Sequence, residues 1–109
     1  MTQLIERSCQ KIPSDQEPLE SDRIDELAAQ VPDWEVEDDE RIWRTFEFEN
    51  FAQALAFVNR VGELAEHQHH HPDISLSWGM ARVELSTHSI GGLSENDFIV
   101  AAKIDQLPR

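Results

Sequence analysis

Apolar side chains recur every three or four positions in three stretches of this chain, the spacing of amphipathic helices. The first predicted helix starts near Pro18, the second follows the N-cap residue Asn50, and the third follows Ser94. The prolines that end them are Pro32, Pro72 and Pro108. Their apolar positions are Ile24, Leu27, Ala28 and Val31; Phe51, Leu55, Val58, Val61 and Ala65; and Val100, Ala101, Ile104 and Leu107. Three helices can therefore cover a common core.

Alternation of apolar and polar residues predicts four strands, in two pairs between the helices. The first pair is 34–36 and 41–48, on either side of an acidic turn. The second pair is 74–78 and 81–88, and Gly79 followed by Met80 permits a tight type II′ turn between them. Such short connections join antiparallel strands.

The order helix, strand, strand, helix, strand, strand, helix predicts an α+β fold. We expect a four-stranded antiparallel sheet with three helices packed on one face, because each strand has only one apolar side. A length of 109 residues suits one domain, over 18–109. Residues 1–17 are polar, contain Pro13 and show no sustained period, so we expect a flexible N-terminal extension with little function.

Charge and cysteine content narrow the possible partners. Twenty-two acidic and nine basic residues give a net charge of −13, which repels phosphate groups, so we expect no direct nucleic-acid binding and no membrane partner. The single cysteine, Cys9, cannot form an internal disulfide and lacks the thiol partners of a zinc ribbon. No apolar stretch approaches the roughly 18 residues of a membrane span. We therefore expect a cytoplasmic protein.

Histidines are the candidate chemical groups. Four lie within five residues before Pro72, and the fifth, His88, ends the last predicted strand. The four are His67, His69, His70 and His71. Imidazole gains and loses protons near neutral pH, so histidines facing one pocket suit acid–base catalysis. His88 shares the strand face of Glu84 and Ser86, and we expect it to point away from the helix-covered core.

Two alternatives to catalysis are open for these histidines. His67 and His71 have the i, i+4 spacing of helical zinc sites, and Glu63 or Glu66 could add a carboxylate. The segment nevertheless lacks the HExxH order and a nearby cysteine, so we expect no metal. The second alternative is ordinary solvation, which we favour for His67 and His69.

Three separated motifs resemble the signature of pterin-4a-carbinolamine dehydratases. They are AEHQHHHP at 65–72, LSTH at 85–88 and GLSEND at 92–97. The first half, from Leu19 through Phe51, is similar to that family in element order. The resemblance implies a hydro-lyase that converts 4a-hydroxytetrahydrobiopterin to quinonoid dihydropterin and water in tetrahydropterin recycling. It implies a pterin substrate, no metal or organic cofactor, and a homodimer or homotetramer, which an exposed strand edge would favour.

The resemblance also implies roles for individual residues. Those matching the catalytic histidines are His70, His71 and His88. Those matching supporting or substrate-binding positions are Glu66, Asp97 and Trp34. We expect His70 and His88 to be the acid and base, without deciding which is which. We further expect His71 to hold the pterin and Asp97 to orient His88.

Each supporting residue also has a purely structural interpretation. Asp97 stands three residues after Ser94 and would complete a capping box, Trp34 could be a core residue, and Glu66 could be a solvated helix acid. Trp43 and Trp78 are expected to be packing residues. Two further functions remain as alternatives: a non-enzymatic dimerisation or assembly factor on the same fold, and a small His-rich metal-binding protein.

Overall fold

Three α-helices and four β-strands build the fold, which the computed structural model describes over residues 3–109. The helices are α1 (Ser21–Ala28), α2 (Phe51–Gln68) and α3 (Glu95–Asp105), and the strands are β1 (Glu35–Glu37), β2 (Arg41–Glu47), β3 (Asp73–Ser77) and β4 (Met80–Leu85). The predicted element order and α+β class are confirmed. No helix within residues 3–109 is long and apolar enough to cross a membrane.

The sheet has the strand order β1-β2-β4-β3, and every neighbouring pair is antiparallel. The central strands β2 and β4 pair over six residues, from Ile42 opposite Leu85 to Glu47 opposite Met80. Their inward side chains form the core with α2 and α3, because alternation places the apolar residues on one face. The buried members of this layer are Ile42, Phe46, Ala81, Val83 and Leu85, with Phe57, Val61 and Phe98 from the helices.

The β3–β4 turn differs from the prediction. Ser77 pairs with Met80, so the turn residues are Trp78 and Gly79, and neither has a positive φ. The predicted type II′ turn is therefore wrong, because that geometry needs a positive φ at its first central residue. The expectation that Trp78 packs is also wrong: its side chain stands on the turn and is 72% exposed.

Glycine is required at position 79 for space. A Cβ there would lie 2.8 Å from the backbone oxygen of Phe48, whose N–H donates to the Gly79 carbonyl at 2.8 Å. We expect Gly79→Ala to lower the free energy of unfolding by about 1–3 kcal/mol, as overpacking does. The matched control Gly62→Ala lies within α2, and nothing outside the local backbone of that helix lies within 4 Å of the new Cβ, so it should raise the free energy of unfolding by about 0.5–1 kcal/mol. Urea denaturation of both variants measures the opposite signs, and a Gly79→Ala protein as stable as the parent would contradict the steric account.

The N-terminal segment packs on the domain, which its lack of periodicity did not indicate. The Leu4 side chain is 1% exposed within the core, and its N–H donates to Gln30 Oε1 at 3.2 Å. Lys103 Nζ donates to the Ile5 carbonyl at 2.9 Å. These contacts differ from the flexible extension predicted for residues 1–17. The sequence did not indicate them because a single buried apolar residue, Leu4, produces no repeating pattern. Residues 1 and 2 lie outside the described part.

Candidate active site

Helix α2 ends at Gln68, earlier than the Pro72 boundary predicted for it. His69 follows in the left-handed region (φ 55°, ψ 37°), and the His70 N–H donates back to the Ala65 carbonyl at 3.2 Å. This 6→1 hydrogen bond closes the helix as a Schellman motif does, at a cost of about 1–2 kcal/mol for a residue other than glycine. His70 and His71 therefore follow a sharp turn, and the helical i, i+4 spacing considered for zinc does not apply.

His70, which is partly buried, pairs with the fully buried Asp97 between the end of α2 and α3. His70 Nε2 lies 2.6 Å from Asp97 Oδ1, with side chains 12% and 0% exposed. Asp97 Oδ2 accepts from Thr87 Oγ1 at 2.8 Å and from the Ser94 N–H at 2.9 Å. The Ser94–Asp97 capping box is thus present alongside the histidine contact. The expectation that Asp97 orients His88 is corrected: its histidine partner is His70.

The two remaining candidate histidines pair with exposed carboxylates. His71 Nε2 is hydrogen-bonded to Glu66 Oε2, and this bond holds the pKa of the Glu66 carboxyl below its ordinary value. His88 Nε2 lies 3.8 Å from Asp73 Oδ2, and both side chains are at least 70% exposed. The predicted outward direction of His88 agrees with this exposure. Each of the three candidate imidazoles therefore has a carboxylate partner. Only Asp97, the partner of His70, is buried.

His70 and His88, two of the candidate catalytic residues, line two separate cavities. The first, of about 430 Å³, is lined by His70 and Thr87 and is called the His70 cavity. The second, of about 310 Å³, is lined by His88 together with Arg41 and Glu84. Within residues 3–109, His70 and His88 therefore line different cavities. The two histidines are connected through Thr87. Its hydroxyl donates to Asp97, the carboxylate that also binds His70, and Thr87 directly precedes His88 in the chain.

Trp34 lies in the core and lines neither cavity. Its side chain is 5% exposed, its indole N–H donates to Asp105 Oδ1 at 2.8 Å, and its ring meets Phe46 edge-on at 6.3 Å. This burial agrees with the packing interpretation of Trp34, and its match to a supporting or substrate-binding position stays a prediction. Trp43 lies on the open sheet face, with the Arg82 guanidinium 4.6 Å from its ring centroid.

Residues 9–12 line the His70 cavity, although no sequence pattern places them there. Burial, followed by the charge of Asp97, raises the pKa of the Cys9 thiol to about 11. Cys9 is therefore a neutral thiol at pH 7 and a poor nucleophile. Local patterns could not have revealed this wall, because it depends on contacts with residues more than 50 positions away.

Within residues 3–109 no three histidine, cysteine or acidic side chains are arranged to hold a metal ion. His67 is exposed on α2, and His69 serves as its left-handed C-cap. His67 thus lies in solvent, as the solvation alternative expected, whereas His69 at the helix end also lines the His70 cavity.

Comparison with known proteins connects this arrangement to a family. Residues 17–107 match the family model described as Pterin 4 alpha carbinolamine dehydratase. The chain belongs to this dehydratase family. A member from Rubrobacter xylanophilus is 50% identical over 107 residues, covering 98% of this chain and all of that one. Another from Methylococcus capsulatus is 53% identical over 91 residues, covering 83% of this chain and 80% of that one. Both carry the name pterin-4-alpha-carbinolamine dehydratase provisionally.

Solved structures show the same family fold. A transcriptional coactivator/pterin dehydratase from Brucella melitensis superposes with a TM-score of 0.76 at 30% identity, covering 82% of this chain and 96% of that one. A pterin dehydratase-like protein, identified as a RuBisCO assembly factor in the alpha-carboxysome, gives a TM-score of 0.57 at 23% identity, covering 66% and 84%. At that identity the second match supports the dehydratase fold alone.

Proposed function

We propose that this family member dehydrates pterin-4a-carbinolamine to quinonoid dihydropterin and water, as a hydro-lyase of tetrahydropterin recycling. The observation that carries the proposal is His70, which lines a cavity and is held from behind by the buried Asp97 carboxylate, in a chain of this family. A carboxylate that holds one imidazole nitrogen leaves the other free for proton exchange with a substrate. No cofactor is part of the proposed reaction.

His70 is proposed as the base that removes the proton from pterin N5. When His70 Nε2–H donates to Asp97, the Nδ1 lone pair is available to accept a proton. The same carboxylate then stabilises the imidazolium that forms. Loss of the N5 proton lets the nitrogen electron pair form the C4a=N5 double bond as the 4a-hydroxyl leaves.

His88 is proposed as the acid that protonates the departing hydroxyl, so that water leaves, while His71 holds the pterin at the rim. The proton gained by His70 and the proton given by His88 balance over one turnover. Because the two histidines line different cavities, the proposed pose places the 4a-hydroxyl near Thr87, the residue between the His70 cavity and His88 in the chain. Glu66 positions His71 through their hydrogen bond.

Stopped-flow loss of the 4a-carbinolamine absorbance tests the reaction. The protein should accelerate dehydration, and His88→Ala should lower kcat by about 10²-fold, as removal of a positioned acid does. His67→Ala is the matched control, since His67 is exposed on α2, and should keep the parent rate. Full activity in His88→Ala with loss in His71→Ala would transfer the acid role to His71. A protein that fails to accelerate dehydration at all would contradict the function and favour the non-enzymatic alternative.

We also propose that the protein is a cytoplasmic homodimer or homotetramer without nucleic-acid partners. Strand β3 pairs only with β4 among the described residues, so its outer edge is open to a strand from a second copy. The net charge of −13 opposes phosphate-rich ligands. Light scattering coupled to gel filtration measures the oligomer directly, and a monomer at micromolar concentration would contradict the edge-pairing proposal.

A further inference from the structure

Residues 9–12, named here the N-terminal strap, form one wall of the His70 cavity. The strap precedes the segment that matches the family model, which begins at residue 17. It is therefore a feature of this chain to which the family match assigns no role.

The main chain of the strap is hydrogen-bonded to side chains of both α2 and α3, the helices that flank the His70–Asp97 pair. The Cys9 N–H donates to Gln68 Oε1 at 2.8 Å, on α2 two residues before His70. The Asn96 side chain holds Gln10 from both sides, accepting from its N–H at 3.0 Å and donating to its carbonyl at 2.7 Å. Asn96 is 5% exposed and directly precedes Asp97 in α3. Three hydrogen bonds therefore hold this wall in place, one to α2 and two to α3.

The second feature of the strap is the charge it brings. The residues lining the His70 cavity include no carboxylate, although the chain as a whole has 22 acidic residues. Lys11 is the one lysine or arginine among them, and it is exposed. The lining residues thus carry one cation and no carboxylate, with the Asp97 carboxylate buried behind His70. A local cation attracts an anionic group of a ligand even on an acidic protein.

We propose that the strap makes this protein selective for reduced pterins whose ring substituent carries a carboxylate, with Lys11 as the specificity-determining residue. The proposal rests on the pterin substrate of the proposed function. The partly buried His70 and the exposed Lys11 line the same cavity. In the proposed pose the reacting ring lies at His70 and its substituent lies at Lys11. An exposed ammonium–carboxylate pair favours binding by about 2- to 5-fold.

Equilibrium binding of two pterins, measured by titration calorimetry, tests the proposal without turnover. Dihydrofolate has a substituent ending in glutamate, and dihydrobiopterin has a neutral diol. Lys11→Gln should weaken dihydrofolate binding about 2- to 5-fold and leave dihydrobiopterin binding unchanged. Arg60→Gln, which removes the same charge from an exposed α2 residue that does not line the cavity, should change neither. The Lys11 effect should shrink in about 0.5 M salt.

Two results would overturn the proposal: an equal loss for both pterins in Lys11→Gln, or no loss for either. Failure of the dehydratase function gives a different result. In that case the protein would bind both pterins, with the Lys11 preference intact, and yet leave the carbinolamine dehydration rate at its uncatalysed value.

Discussion

Replacing His70 with alanine is expected to lower kcat for carbinolamine dehydration by about 10²- to 10⁴-fold, the range for loss of a positioned base. His70 is the only candidate imidazole that combines a buried carboxylate partner with a place in the lining of the 430 Å³ cavity. The proton at N5 would then pass to water, which is not held in place. Stopped-flow kinetics at saturating substrate measure kcat separately from KM.

The fold of the His70→Ala variant has to be shown intact for this result to be interpreted. Circular dichroism and a urea transition should resemble those of the parent except for the lost His70–Asp97 hydrogen bond, which contributes about 1.5–3 kcal/mol when one partner is charged. His67→Ala provides the control for removal of a histidine nearby. A folded His70→Ala protein with parent kcat would exclude His70 as the base.

Replacing Asp97 with alanine is expected to cost about 3–5 kcal/mol in free energy of unfolding, because it breaks a buried hydrogen-bond network. The Asp97 side chain is fully buried and accepts hydrogen bonds from Ser94, Thr87 and His70. Alanine leaves these donors without their acceptor and removes the N3 residue of the α3 capping box. Urea denaturation measures the loss, and a change below about 1 kcal/mol would contradict this account.

The substitution Asp97→Asn separates catalysis from stability. The amide oxygen can still accept from Ser94 and Thr87, so the unfolding free energy should fall less than in the alanine variant. The amide NH₂ then faces His70 Nε2 and donates to it, which moves the ring proton to Nδ1 and removes the acceptor for N5. We expect kcat to fall by about 10²-fold or more while the protein stays folded. Parent activity in the Asp97→Asn protein would refute the tautomer role.

Local sequence patterns predicted the architecture because secondary structure follows short-range rules. The period-two runs became the antiparallel strands, Asn50 caps α2 by accepting from the Gln53 N–H at 2.9 Å, and Ser94 opens α3. The wrong predictions about secondary structure also concern only a few neighbouring residues. The end of α2 was placed at Pro72 because nothing in the sequence marks His69, a residue other than glycine, as left-handed.

For the candidate site, too, the sequence determined some features and the tertiary structure decided others. The sequence by itself determined that histidines gather at the end of α2 and after β4, since their positions along the chain fix them to those elements. Only the tertiary structure decided that Asp97 pairs with His70 across 27 positions, that His88 lines a separate cavity, and that residues 9–12 wall the first one. The physical reason is range: periodicity and capping act over a few residues, whereas side-chain partners depend on how α3 and the N-terminal segment pack against α2.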